Sequence, residues 1–514
     1  MLRFCFCTPG GNGLPFVKLL SKLFNYGALL LQQNAGLVAE HFTAIKPTET
    51  GDLSVYGRSG GLAILVREIH AQCDLLAADL VHQFVHKREL RHLIAQLMSR
   101  GALELDTLWI DHQLVTSASD VTDRVASDRD LASFDQLLDE IALIVQRSES
   151  FSRFIARWDC DIHASVEAEF GDASGHAKPG VTIPITARPS PSIPRIVPNQ
   201  SEYAHLVQEI TGMYTVLELA YMLQSTEKSF AIEEILPYGD QGIHVSSIVG
   251  DAFCIVQKSM GRAQATGNVD SACGVANHIN VVLAERLYAL LMRRASSFDD
   301  DGGVAFSIQW SERNNTMLQS ESAARNHAIS VTLNSLQLAS EYTRELQARA
   351  LTTANEVLQE EEDKEKFRSC CEALGDVAFM FDQALRSAVD SFAVSLYETV
   401  QEFVDINFVD YELSEAAYGE HEAGGTFAAR LLRTRAFLDH STRGIHPSIV
   451  NSVGNLTIAQ LVRQLRARIE RCRFTQLGAL VLDRQLRGLQ QTFLDLQWPH
   501  FHLKGLRSFY TAYL

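Results

Sequence analysis

Residues 248–291 read IVGDAFCIVQKSMGRAQATGNVDSACGVANHINVVLAERLYALL, and their pattern predicts two helices joined by a glycine turn. In the first helix, apolar residues recur three and four positions apart, which places them on one face. They are Val249, Ala252, Phe253, Val256, Met260 and Ala263. Gly267 and Asn268 then end the helix, and a wider apolar stripe follows from Ala272 to Leu291. We therefore expect an antiparallel helical hairpin.

Charged and capping residues mark both ends of the first helix. Ser247 is suited to the N-cap and Asp251 to the first turn, while Lys258 and Arg262 lie toward the C-terminal end. A helix carries partial positive charge at its N-terminus and partial negative charge at its C-terminus. The sequence therefore predicts that these charges complement the helix dipole.

Helical periods recur along most of the chain. Predicted helices cover residues 15–45, 62–98, 131–155, 206–221, 427–437, 458–472 and 482–496. The clearest period steps by four and three from Phe367 to Phe392, and we expect this helix to pack against one that carries Leu333 and Leu336. No long stretch alternates in the manner of a strand. With 514 residues the chain exceeds the size of a single core, so we predict an all-α, elongated rod of stacked helical bundles.

Prolines divide the chain internally. Half of the 12 prolines lie between Gly171 and Asn199, where backbone amides are too few for a helix. We therefore expect an N-terminal helical region at 1–170, a proline-rich linker or insert at 171–200, middle helical bundles at 201–405 and a C-terminal bundle at 406–514.

Charge and cysteine usage limit the possible partners and compartments. A net charge of -17 argues against nucleic acid as the main partner, although Arg430 to Arg473 is locally basic. An acidic cluster covers 356–365. Solvated helix faces are the favoured interpretation of both regions, and a basic end that meets an acidic partner or lipid surface stays open. Nine scattered cysteines suggest neither disulfides nor zinc and favour a reducing compartment, with Cys371 in the core.

Candidate motifs for chemistry are weak. The glycines at 10–13 lack the context of a phosphate-binding loop, and Ser225–Lys228 matches only the bare S-x-x-K pattern. The loop predicted at 296–303 lacks the ligand spacing of a calcium site, and His500 and His502 have no third ligand. We therefore predict no catalytic, cofactor-binding or metal-binding residues, and a protein that is not an enzyme. No secretory signal or continuous membrane span is predicted.

Several separated blocks resemble the family of conserved oligomeric Golgi complex subunit 4, which belongs to a vesicle tether. The most recognisable block is VGDAFCIVQKSMGRA at 249–263, followed by Asp270. Other blocks that resemble the family in the same order are VTLNS at 331–335, FRSC at 367–370, DYE at 410–412 and FTQLGALVLDRQLR at 474–487. Residues 73–91 resemble it more weakly. The resemblance therefore spans most of the chain and includes no catalytic motif.

The resemblance implies a non-enzymatic subunit of a Golgi tether that acts in intra-Golgi retrograde transport. It implies other subunits of the complex and Golgi SNAREs with their regulators as partners. It also implies a peripheral, indirect membrane association on the cytoplasmic face of the Golgi, with a cytosolic pool. The family's subunit usually has a longer N-terminal coiled-coil region and further C-terminal helices, and it lacks a proline-rich insert. Both ends are thus expected to be truncated relative to the family.

Two other classes of protein are alternatives. A generic helical adaptor unrelated to Golgi traffic would have the same composition. An enzyme without a recognisable motif would require a deep pocket with converging titratable residues. For the favoured class, we expect exposed arginines such as Arg463 and Arg466 to contact a partner.

Overall fold

The prediction of an all-α fold is confirmed. A computed structural model describes residues 15–41, 57–99, 120–171, 201–239, 242–300, 317–405, 411–412, 414–415, 418 and 426–496. Almost all of these residues are helical. The proline-rich segment from 172 to 200, the glycines at 10–13, and His500 and His502 lie outside the described residues.

The helices have the following bounds. The first five are α1 (Pro15–His41), α2 (Gly57–Lys87), α3 (Leu90–Ser99), α4 (Asp120–Gly171) and α5 (Glu202–Ala231). The next five are α6 (Ser247–Ala265), α7 (Val269–Val281), α8 (Ala289–Asp300), α9 (Met317–Val357) and α10 (Glu361–Asp405). The last three are α11 (Thr426–Thr442), α12 (Pro447–Ile469) and α13 (Gln476–Asp495). The helix predicted at 62–98 is divided into α2 and α3 at Glu89, whose φ of 50° interrupts the helical backbone.

The two helices predicted from 248–291 are present, joined at a glycine turn. Gly267 has a φ of 71°, a conformation that costs a glycine little, and the Asn268 side chain accepts a hydrogen bond from the Ser271 amide at 2.8 Å. The N-cap prediction is off by one residue. The hydroxyl of Ser246, and not that of Ser247, accepts from the Ile248 amide at 3.4 Å.

The second helix of this pair is longer than predicted. A π-helical segment, Val282–Tyr288, joins α7 to α8, and the helix continues to Asp300. The prediction of a loop from Ser296 onward is therefore wrong through Asp300.

A short β-hairpin lies between α5 and α6. Strand β1 (Ile235–Tyr238) pairs antiparallel with β2 (Ile243–Ser246), in a register that sets Leu236 opposite Val245. Strands of four residues are too short to show an alternation in sequence, so the sequence did not predict them.

The chain divides into two compact units, each made of three segments. Unit 1 takes its described residues from Met1–Ser225, Ile255–Ile279 and Arg349–Cys371. Unit 2 takes them from Thr226–Cys254, Asn280–Ala348 and Glu372–Leu514. The linear boundaries expected from composition stay a prediction.

Each unit has its own apolar core. In unit 1, Leu138 and Ile141 of α4 and Tyr214 and Leu217 of α5 are completely or almost completely buried. Cys371 is buried as predicted.

In unit 2, the predicted pairing of the helix after Phe367 with the helix of Leu333 and Leu336 is confirmed. Leu333, Leu336 and Phe381 are fully buried, and the Ser340 hydroxyl of α9 donates to the Asp382 carboxylate of α10 at 2.6 Å.

Candidate interaction surfaces

The acidic cluster at 356–365 lies at the connection of α9 and α10, and most of it is exposed. Lys364 pairs with Glu361 at 2.6 Å, and Arg368 pairs with Glu365. These local pairs support the interpretation of a solvated helix face.

Lys258 and Arg262 belong to an ion network that the sequence did not predict, and this network is buried at Arg262 and Glu218. Arg262 is almost completely buried, and its Nε atom lies 2.7 Å from Oε1 of Glu218, whose side chain is fully buried on α5. Its Nη1 atom lies 2.9 Å from carboxylate oxygens of Asp135 and of Asp139 on α4. Lys258 pairs with Asp135 at 2.6 Å. The network therefore joins α4, α5 and α6 within unit 1.

Burial and charge oppose each other in this network. Burial raises the pKa of Glu218, and the Arg262 charge opposes that rise only in part. Burial lowers the pKa of Arg262, but the Glu218 charge and the Asp135 carboxylate outweigh it, so the net pKa is raised. Arg262 therefore stays protonated and holds a carboxylate that water cannot reach. This arrangement joins three helices within unit 1.

A cleft of about 730 Å³ lies in unit 1, lined by α1, α2, α4 and α5 and by the start of α7. Its titratable groups include Asp74, Glu149 and Asp270, and each has a partner. Ser201 donates to Asp74 at 2.9 Å, Asn268 donates to Glu149 at 2.6 Å, and Lys366 pairs with Asp270 at 2.5 Å. Within the described ranges, no three His, Cys, Asp or Glu residues are grouped to hold a metal ion.

The β-hairpin of unit 2 exposes a cluster of apolar side chains. Ile232, Ile235, Leu236 and Tyr238 are 61%, 49%, 43% and 38% exposed. Grouped apolar exposure of this kind is typical of contact surfaces. Pro237 has no backbone N–H group that could donate a hydrogen bond, and this makes the hairpin a weaker template for an added strand.

The basic region of the sequence covers α11, α12 and α13 in unit 2. Between residues 426 and 496 the sequence has eleven arginines against four acidic residues. Arg463 and Arg466 are exposed on α12. Arg463 donates to Gln460 at 2.9 Å, and Arg466 donates to Glu470 at 3.2 Å.

The described part of the chain contains no helix that combines the length and the apolarity needed to cross a membrane.

The helices and their exposed faces together define an all-α helical-bundle protein. A family model described as "COG4 transport protein, middle alpha-helical bundle" matches residues 9–295, and one described as "Conserved oligomeric Golgi complex subunit 4, C-terminal" matches residues 329–502. The chain belongs to the conserved oligomeric Golgi complex subunit 4 family, which confirms the resemblance seen in the separated blocks.

Curated relatives carry the same name at low identity. The chain is 23% identical to conserved oligomeric Golgi complex subunit 4 of Arabidopsis thaliana over 438 residues, which are 84% of this chain and 52% of the relative. It is 22% identical to the subunit of Homo sapiens over 487 residues, 90% of this chain and 57% of the relative. The chain thus spans about half the length of the curated relatives it matches. No solved structure matches it.

Proposed function

We propose that this chain is a non-enzymatic subunit of the conserved oligomeric Golgi complex and helps to tether vesicles in intra-Golgi retrograde transport. The observation that carries the proposal is the match of two subunit 4 family models to residues 9–295 and 329–502. Its partners would be the other subunits of the complex and Golgi SNAREs with their regulators. It would associate peripherally and indirectly with the cytoplasmic face of the Golgi and exchange with a cytosolic pool.

The geometry supports a binding role without being specific for Golgi traffic. The charged and apolar side chains that the structure exposes lie on helix faces and on the β-hairpin, where other macromolecules can reach them. By contrast, Arg262 and Glu218, whose pKa values are both raised, form an ion pair that is enclosed by protein. We expect this pair to matter for the stability of the fold. We also propose the division into an N-terminal region at 1–170, a proline-rich linker at 171–200, middle bundles at 201–405 and a C-terminal bundle at 406–514.

Affinity purification of the tagged full chain from its own cells tests the proposal. We expect other subunits of the Golgi complex to be recovered in stable proportion, and depletion of the chain to misplace Golgi enzymes that depend on retrograde recycling. Recovery of a stable complex without any Golgi tether subunit would instead favour a generic helical adaptor.

Charge reversal at Arg463 and Arg466 is expected to weaken partner recovery and to leave the fold intact. Both side chains are exposed on α12, and exposed polar and ionic contacts contribute little to stability, so their loss should change the free energy of unfolding by no more than about 1 kcal/mol. A rim charge of an interface instead changes association, and we expect a several-fold lower yield of co-purified subunits.

The measurement is quantitative pull-down with Arg463→Glu/Arg466→Glu, alongside thermal unfolding. Arg67→Glu is a matched control, because Arg67 is 45% exposed on α2 in unit 1. Equal yields of co-purified subunits from the double variant and from the control would show that these two arginines do not contribute to the interface.

A further inference from the structure

Two cysteines from different helices lie against each other in unit 1. Cys273 is on α7 and Cys370 is on α10, and their side chains are hydrogen-bonded to each other. Both are free thiols, and they are far apart in the sequence, so only the fold brings them together. A disulfide requires two sulfurs that can reach bonding distance, and this contact already places the two thiols side by side.

An ion pair one helical turn away shows that these faces of α7 and α10 meet. Nζ of Lys366 on α10 lies 2.5 Å from Oδ1 of Asp270 on α7. Asp270 precedes Cys273 by three positions, and Lys366 precedes Cys370 by four. Residues at these spacings share one face of a helix. The ion pair and the thiol pair therefore belong to the same contact between the two helices.

Solvent reaches the thiol pair at Cys370. This residue is partly exposed, whereas Cys273 and the neighbouring Cys371 are 6% and 0% exposed. Burial raises the pKa of the Cys273 thiol, the hydrogen bond with Cys370 raises it further, and the Lys366 charge opposes the rise. A thiol reacts as its thiolate and only where the oxidant can reach it, so Cys370 is the thiol that reacts first.

Cys371 is a poor partner for Cys370 although it is next to it in the sequence. Adjacent residues have Cα atoms about 3.8 Å apart, which is below the usual range of roughly 4.4–6.8 Å for a disulfide. Consecutive side chains of a helix also point in directions about 100° apart. The thiol across the contact, Cys273, is therefore the one that can resolve an oxidised Cys370.

We propose that Cys273 and Cys370 form a reversible disulfide when the chain meets a peroxide, and that this bond cross-links α7 to α10. The inference goes beyond the proposed function, because it concerns the redox state of unit 1 and depends on no partner protein. Reducing compartments keep thiols reduced, and disulfides that form there are usually transient. The cross-link is thus a modification that appears under oxidation and holds the two helices together during local opening.

The reaction has two steps. The Cys370 thiolate attacks one oxygen of hydrogen peroxide, the O–O bond breaks, and the sulfur becomes a sulfenic acid. The hydroxide that leaves takes up the proton that Cys370 released and becomes water. The Cys273 sulfur then attacks the Cys370 sulfur, so that the S–S bond forms, the S–O bond breaks, and the hydroxyl leaves as water with the Cys273 proton. Two thiols are oxidised, and one peroxide is reduced to two waters.

The test treats the reduced full chain with hydrogen peroxide, blocks the remaining thiols and maps the disulfides by mass spectrometry. The chain has nine cysteines, and we expect the pair of Cys273 and Cys370 to exceed every other pair at least about tenfold. A dithiol reductant should restore both thiols by exchange. The same treatment in urea should abolish the selectivity, because the contact depends on the fold.

Single variants test the order of the two steps. In Cys273→Ala, an oxidised Cys370 has no thiol across the contact, so a dimedone probe should capture it as the sulfenic acid. In Cys370→Ala, Cys273 should stay a free thiol at the peroxide concentration that oxidises the parent chain. Cys254→Ala is the matched control, because Cys254 is exposed on α6, and it should form the same disulfide as the parent chain.

Several results would overturn the proposal. They are the absence of the disulfide between Cys273 and Cys370, a yield no higher than that of other cysteine pairs, and equal selectivity in the folded and the urea-treated chain. Capture of Cys273 in place of Cys370 by dimedone would overturn the order of attack. Disulfide mapping of the parent chain needs no substitution, so it decides the proposal even if a cysteine variant does not fold.

Discussion

Arg262→Ala is expected to lower the free energy of unfolding of unit 1 by about 3–5 kcal/mol, because it leaves the Glu218 carboxylate buried without a cation. Glu218 is fully buried on α5, and Arg262 contacts it at 2.7 Å while also pairing with Asp135 and Asp139 at 2.9 Å. The same substitution removes an arginine stem that packs near the Tyr221 ring, whose centroid lies 5.4 Å from the guanidinium carbon.

Two control variants separate the lost ion pair from a general effect of substitution. Lys258→Ala removes a 49% exposed partner of Asp135, so it should cost no more than about 1 kcal/mol. Arg262→Met/Glu218→Leu removes both buried charges and keeps similar volume, so it should be more stable than Arg262→Ala. Equal instability of the double variant and the single variant would show that packing, and not the isolated carboxylate, dominates.

The defect of Arg262→Ala should also depend on pH. Burial already raises the pKa of Glu218, and loss of the Arg262 charge raises it further. An unfolded glutamate has a pKa of about 4.3, so the folded variant holds the proton more tightly than the unfolded chain does. The stability difference from the parent chain should therefore be largest at neutral pH and should shrink as the pH falls through the raised pKa of Glu218.

The measurement is urea unfolding across this pH range, combined with hydrogen exchange of peptides from α4, α5 and α6. Faster exchange should concentrate in these three helices, because they supply the network. A loss of less than about 1 kcal/mol at neutral pH, or a loss independent of pH, would contradict the role given to Glu218.

Local sequence was sufficient to predict most of the helices, but it was not sufficient to predict the side-chain contacts between them. The three-and-four spacing of 249–263 and of 367–392 depends only on neighbours in the chain, and both segments are helical with their apolar residues mostly buried. Lys258 and Arg262 were assigned to the helix dipole because their sequence neighbours gave no other role. Their partners Asp135 and Asp139 lie more than 100 positions away and become visible only through tertiary packing.

The same limit applies to the candidate surfaces. Sequence charge identified the basic region and the exposed Arg463 and Arg466. It did not show that Leu480 and Leu494 lie outside the core, because α13 carries leucines on both faces and only the burial of each side chain distinguishes them. The β-hairpin, of which only strand β1 is exposed, was missed for a different reason, since its strands are too short to give a period.

Gly478→Ala is expected to lower the free energy of unfolding of unit 2 by about 1–3 kcal/mol or more, as overpacking of a filled core does. A Cβ at Gly478 would collide with the backbone oxygen of Tyr411, and it would lie 2.8 Å from the Tyr411 carbonyl carbon. Tyr411 cannot move away easily. Its hydroxyl donates to Gln485 at 2.7 Å, and its carbonyl accepts from the Thr475 amide at 3.1 Å, so a shift would break the contacts that fix the start of α13.

Gly250→Ala is the matched control for Gly478→Ala, because Gly250 lies in a helix of unit 2 and a Cβ there meets nothing within 4 Å. Alanine loses less backbone entropy on folding than glycine, so this variant should gain about 0.5–1 kcal/mol. Thermal unfolding of both variants, with hydrogen exchange in α13, measures the difference. If Gly478→Ala is as stable as Gly250→Ala, the close approach of Tyr411 to α13 is not a constraint on the fold.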